Sequence, residues 1–140
     1  MLVSRREVEI AWGDCDPANI VYFPNYFAWF DASTAHHFNA AGLPKPELIR
    51  RYNVVGFPMV DTQAKFHVPS RHGDVVTIET TITRFGRSSF DVEHRLMRGQ
   101  TLAVEGFEKR VLVQKTEDGD GIRSFEIPKE VVALFGGSAK

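Results

Sequence analysis

The sequence predicts an α+β fold, an antiparallel sheet of five or six strands curled around one long helix. Three observations carry this reading. Residues 25–41 run without an internal Gly or Pro. From Val54 onward, apolar and polar side chains alternate with period two, strand after strand. The breaks between these strands are short and rich in turn residues, which joins neighbours as antiparallel hairpins.

The elements follow in order. Glu7 to Trp12 places Val8, Ile10 and Trp12 on one face, a strand with one buried side. "GDCDPAN" breaks it. Pro24 suits the first turn of a helix, where its missing N–H is no loss. Asn25 to Ala41 continues the helix, and Gly42 stands where a left-handed C-cap is expected. At about 100° per residue, Tyr26, Phe27, Trp29, Phe30, Thr34, His37, Phe38, Ala40 and Ala41 share an arc of roughly 180°. A surface helix has a narrower stripe, so other structure should wrap this one. "GLPKPELIRRY" reads as a loop with a short helix. Strands follow at Val60–Val68, Val76–Ile82, Phe90–Leu96 and Leu102–Gln114, the last with an expected irregularity near Gly106. Ile122–Ile127 is a short last strand, and Pro128–Phe135 a helical turn or two.

The chain has 140 residues, the size of one domain, 1–140, with no linker or repeat. Hydrophobic residues make up 43% and charged residues 25%, so a core needs neither disulfide nor metal. A net charge of −1 argues against nucleic acid as a partner. One cysteine fits a reducing compartment, and the expected setting is the cytoplasm. "MLVSRREVEI" carries charges and no long apolar stretch, so no signal peptide is read, and no run is long enough for a membrane span. A helix apolar over half its circumference, in so short a chain, points to an oligomer.

The chemistry concentrates in "GDCDPANIVYFPNY". Asp14 and Asp16 flank Cys15 just before a run of large apolar side chains. Asp16 beside Pro17 suits either a turn or a working carboxylate. Two adjacent carboxylates blunt Cys15 as a nucleophile, leaving it a small buried residue. The histidines lack paired ligand spacing, and two aspartates alone hold a cation weakly, so no metal is expected.

"GDCDPANIVYFPNYFAWFDAS" resembles the signature of the 4-hydroxybenzoyl-CoA thioesterase family, which has the hot-dog fold, and the element order matches over nearly the whole chain. The resemblance implies an acyl-CoA thioesterase that needs no cofactor. It places the catalytic carboxylate at Asp16 and leaves Asp14 structural. The start of the long helix, through the backbone N–H of Phe23, would polarise the thioester carbonyl. Asp16 would act as nucleophile or as general base, and both routes stay open.

The resemblance implies two further sites. Asp31, about 20° from Phe38 and about 40° from Phe27 on the helical wheel, would meet a substrate hydroxyl across a dimer. In "RFGRSSF", Arg84, Arg87, Ser88 and Ser89 would hold the CoA phosphates, with Arg87 the foremost. Tyr22, Phe23, Phe27, Phe57 and Met59 would wall the acyl pocket, which favours a hydroxybenzoyl group. Phe57 and Asp61 stand where that family carries small hydroxylated or apolar residues. The expected assembly is a homodimer, paired again into a tetramer.

Other readings are a short- or medium-chain aliphatic acyl-CoA thioesterase of the same fold, or an acyl-CoA-binding module without catalysis. A phosphotransferase of the haloacid dehalogenase type shares the D-x-D pattern but needs a strongly apolar strand before it, and "EVEIAWG" alternates. A hot-dog dehydratase would need a catalytic His in a different motif.

Overall fold

A computed structural model describes residues 1–136. Five strands form one antiparallel sheet: β1 (Val3–Glu9), β2 (Met59–Phe66), β3 (Val75–Phe85), β4 (Ser89–Arg98) and β5 (Thr101–Val111). Their order is β1-β3-β4-β5-β2, so β1 and β2 are the edges. A hairpin of β6 (Val113–Lys115) and β7 (Ile122–Ser124) stands apart. The helices are α1 (Pro24–Ala40), α2 (Lys45–Tyr52) and α3 (Lys129–Leu134). No helix is long and apolar enough to cross a membrane among the described residues.

α1 begins and ends as its sequence requires. Pro24 occupies the first turn. At the other end Gly42 takes φ +81°, its N–H reaches Asn39 O, and Leu43 N–H reaches Phe38 O at 3.0 Å. This pair of bonds closes the orphan carbonyls, and Leu43 and Phe38 share the same core cluster. The buried stripe of α1 is narrower than the predicted arc: Phe27 and Trp29 are half-buried and Ala40 is exposed. Polar Ser33, Thr34 and His37 are buried inside the stripe because each has a partner. Ser33 accepts from Arg6 Nε, Thr34 donates to Glu108, and His37 Nδ1 meets Ser4 Oγ at 2.6 Å.

Two apolar clusters lie between α1 and the sheet. One gathers Ile10, Val21, Tyr26, Phe30, Val76, Ile78 and Leu96 at the start of α1. The other gathers Phe38, Phe57, Ile82, Phe85, Phe90 and Leu112 at its end. Full burial of such side chains stabilises by about 1.5–3 kcal/mol each.

Three strand expectations change. β1 stops at Glu9, and Trp12 stands exposed on a single 3-10 turn, because Asp14 caps that turn through Ala11 N–H. The stretch 102–114 divides into β5 and β6, since Leu112 turns inward to bond the 87–89 turn through Ser88 O. Gly106 keeps regular register with Ala64 and His94, whereas the register shifts lie at Met59/Asp61, Ile82/Arg84 and Leu96/Met97. Gly106 answers another demand: a Cβ there would stand 2.5 Å from the Phe30 ring.

Candidate active site

The loop between β1 and α1 is clamped by Asp14. Its Oδ2 accepts from Ala11 N–H, and its carbonyl accepts both Tyr22 N–H at 2.9 Å and the Asn25 side-chain amide at 2.8 Å. These bonds hold the loop against the start of α1. Asp14 thus shapes the loop through its side chain and its carbonyl.

Asp16 lies half-buried in the same loop. Its Oδ1 accepts from Ala18 N–H at 2.9 Å, its N–H donates to Ile20 O, and its carbonyl accepts from Asn19, whose φ is +62°. Among the described residues no partner takes its Oδ2. The turn and the working carboxylate are thus compatible: one oxygen fixes the rotamer and the other stays open. Cys15 is half-buried, with Sγ 3.8 Å from Ala11 O.

The start of α1 leaves one donor over. Tyr22 N–H goes to Asp14, Pro24 has none, and Asn25 and Tyr26 N–H go to Tyr22 O and Phe23 O. Among the described residues the Phe23 N–H has no acceptor. It stands at the positive end of α1, where partial charge accumulates.

Phe23 and Tyr22 expose their rings. Phe66 of β2 faces three rings of this region, Phe23 at 6.5 Å, Tyr26 at 5.7 Å and Phe27 at 6.4 Å between centroids. Beside them lies a cleft of about 290 Å³ lined by Ile20, Val21, Phe23, Tyr26, Phe66 and Val68. Ligand pockets are about 300–1,000 Å³, so this cleft is at the small end.

The remaining predicted residues fall elsewhere. Asp31 is exposed, and its Oδ1 accepts from Arg110 Nη2 at 2.6 Å. Arg110 sits on β5 opposite Met59, so Met59 and Asp31 belong to the far end of β2 from Phe66. Phe57 corrects the expectation of a pocket wall: its ring is 3% exposed and stacks on Phe38 at 4.6 Å. The Gly56–Val113 bridge turns Phe57 into the core, where its carbonyl accepts from Arg110 Nη1 at 3.2 Å and its ring lies under the Arg110 guanidinium, 5.5 Å from the ring centroid.

The Arg84–Ser89 turn closes the opposite end of the sheet. Arg84 and Arg87 are exposed, Ser88 and Ser89 half-buried. Two distant backbone donors pin the turn, Leu112 N–H on Ser88 O and Ile127 N–H on Arg87 O. From Val76, beneath the start of α1, to Phe85 along β3 is roughly 30 Å at about 3.3 Å per residue. Within one chain the turn and Asp16 therefore do not meet.

Glu108 and Arg110 were not among the predicted site residues. Glu108 is 1% exposed and Arg110 4%. Burial raises the Glu108 carboxyl pKa, but hydrogen bonds and charge from His94 and Arg110 outweigh burial and hold it below its ordinary range. Burial lowers the Arg110 pKa, and the Glu108 and Asp31 carboxylates more than restore it. The signal was present: opposite charges two apart on the inward parity of a buried strand.

Among the described residues no group of three or more His, Cys, Asp or Glu is placed to hold a metal ion.

Residues 10–135 match the family model of the thioesterase-like superfamily. The chain is 37% identical over 132 residues to the 4-hydroxybenzoyl-CoA thioesterase of Pseudomonas sp. strain CBS-3, covering 89% of this chain and 92% of that one. A solved 4-hydroxybenzoyl-CoA thioesterase variant in complex with 4-hydroxybenzoyl-CoA superposes with a TM-score of 0.87 at 33% identity, over 95% of this chain and 98% of that one. A gentisyl-coenzyme A thioesterase superposes at 0.79 with 30% identity, over 96% and 100%. The chain belongs to the thioesterase-like superfamily and is a thioester hydrolase of the hot-dog fold.

Proposed function

We propose that this chain is a single domain that hydrolyses aryl-CoA thioesters, with a hydroxybenzoyl group as its best acyl moiety. The relatives that carry it furthest act on hydroxylated aryl-CoA esters by name: 4-hydroxybenzoyl-CoA and gentisyl-coenzyme A. The carrying observation here is the Phe23 N–H, unpaired among the described residues, at the start of α1 on the loop that also holds Asp16. A thioester oxygen placed on that N–H is polarised as negative charge develops on it. Asp16 then attacks the carbonyl carbon or takes a proton from an attacking water. The carbon–sulfur bond breaks and CoA leaves as the thiolate, which takes up a proton; on the first route a water then hydrolyses the Asp16 anhydride, and on both the free acid is released. No cofactor or metal enters the reaction. The single cysteine fits a cytoplasmic setting.

The working unit is a homodimer, paired again into a tetramer. β2 is an edge strand with Met59, Val60 and Phe66 exposed, a ready template for a second strand. Antiparallel pairing of two β2 edges sets the Phe66 end of one copy beside the Met59 end of the other. The start of α1 and the Asp16 loop of one chain then gain Asp31 and Met59 from its mate. The Arg84–Ser89 turn supplies the phosphate contacts.

A panel of benzoyl, hydroxybenzoyl, phenylacetyl and aliphatic CoA esters tests this reading. The highest kcat/KM belongs to a hydroxybenzoyl ester. A preference for aliphatic chains would remove the aryl assignment.

A further inference from the structure

Beneath the middle of α1 the core holds a line of polar side chains that the hydrolytic step does not use. Glu108 Oε1 accepts from Arg110 Nε at 2.9 Å and from Thr34 Oγ1 at 2.6 Å. Glu108 Oε2 faces His94 Nε2 at 3.3 Å. The His94 ring stacks on Phe30 at 4.8 Å, and its Nδ1 meets Thr80 Oγ1 at 2.9 Å. Thr34 donates to Glu108, so its oxygen accepts from His94 Nε2, and Nε2 carries the ring proton. Thr80 Oγ1 closes the line at Nδ1. The line runs from β3 through β4 and β5 to α1. It ends at Asp31, whose side chain is 66% exposed.

We propose that Arg110, anchored by Glu108, sets acyl-group selectivity by fixing Asp31 with one oxygen occupied and the other open to a hydroxyl on the acyl group. This rests on the aryl-CoA reading above. Arg110 commits its fork on three sides: Nε to Glu108 on its own strand, Nη1 to the Phe57 carbonyl, and Nη2 to Asp31. A planar fork held this way presents one N–H in a set direction, which a lysine ammonium does not do. An aspartate alone on a helix edge samples several rotamers. One gripped at Oδ1 has its second oxygen prearranged, and prearranged acceptors discriminate best between ligands with and without a hydroxyl. Glu108 and Arg110 are positioning residues: they act through Asp31. A line that only staples α1 to the sheet would lose stability on mutation without changing selectivity.

The test measures kcat/KM on hydroxybenzoyl-CoA and benzoyl-CoA for wild type, Arg110→Lys, and the pair variant Glu108→Gln with Arg110→Met. The pair variant leaves no lone buried charge, the usual cause of collapse when one partner is removed. The ratio of the two kcat/KM values falls about tenfold or more in both variants. An unchanged ratio in a folded variant overturns the proposal. If the pair variant fails to fold, Arg110→Lys decides alone. If the wild type shows no preference for the hydroxylated ring, the aryl reading falls, and the relay is judged on the best substrate of the panel. There the losses from Asp31→Asn and Arg110→Lys are non-additive if Arg110 acts through Asp31, and additive losses overturn it.

Discussion

The ring of Phe30 lies over Gly106 so closely that a Cβ on Gly106 would stand 2.5 Å from its Cε2. Phe30 is 1% exposed and stacks on His94, so the ring has no open space to move into. Gly106→Ala should therefore destabilise the fold by about 1–3 kcal/mol through overpacking, despite the better strand propensity of alanine. Urea unfolding measures this, and a neutral or stabilised variant would show that α1 shifts freely over β5.

Asp16→Asn removes the carboxylate while keeping the turn, since the amide oxygen still accepts from Ala18 N–H. Turnover should fall at least a hundredfold, on the order expected for a lost base or nucleophile, with ester binding largely retained. Turnover within tenfold of wild type would sink the assignment. Single-turnover hydrolysis in labelled water, with trapping of any acyl-enzyme, separates the routes. Label in Asp16 or a trapped acyl-enzyme marks an anhydride; label only in the acid with no acyl-enzyme marks a general base.

The β2 edge makes a prediction about assembly. Val60 is 60% exposed at an unpaired strand edge. Light scattering should find a dimer or larger species at low concentration. Val60→Asp should weaken the association at least about tenfold, with activity falling in step as the chains separate. A fully active wild-type monomer would refute the shared site.

Arg87 is exposed on a turn that two distant backbone bonds hold rigid. Arg87→Ala should raise KM for CoA esters about three- to tenfold, the range of an exposed charge-assisted contact. A pantetheine thioester lacking the nucleotide should be unaffected. Equal effects on both substrates would mean that Arg87 acts through folding.

His37 makes the fold sensitive to acid. Burial, with charge from His94 and His36 behind it, pushes its pKa down from 6.5 to about 4. The unfolded chain takes up a proton at His37 near pH 6.5, the folded chain only near pH 4. Between these values the unfolded state binds more protons, so stability falls as pH falls through that window. Chemical denaturation across the window should show this slope, and it should flatten in His37→Leu. An unchanged slope in the variant would place the acid sensitivity elsewhere.

Local chemistry made much of this protein legible from its sequence. The limits of α1 follow from Pro24 and Gly42, because backbone sterics at those two residues act within one turn. The strands follow from period-two alternation, and the turn at Asp16 from a motif contained in one loop. Contacts distant in sequence were not legible. Trp12 continues the alternation of β1 yet lies exposed, because the Asp14 cap ends the strand. Phe57 reads as an apolar wall until the Gly56–Val113 bridge turns it into the core. Gly106 reads as a break in a strand until Phe30, far earlier in the chain, is placed over it. The Asp31–Arg110–Glu108 line joins residues from α1 and β5, whose adjacency no local rule states. Side-chain periodicity reports which face of an element is buried; only tertiary packing decides what meets that face.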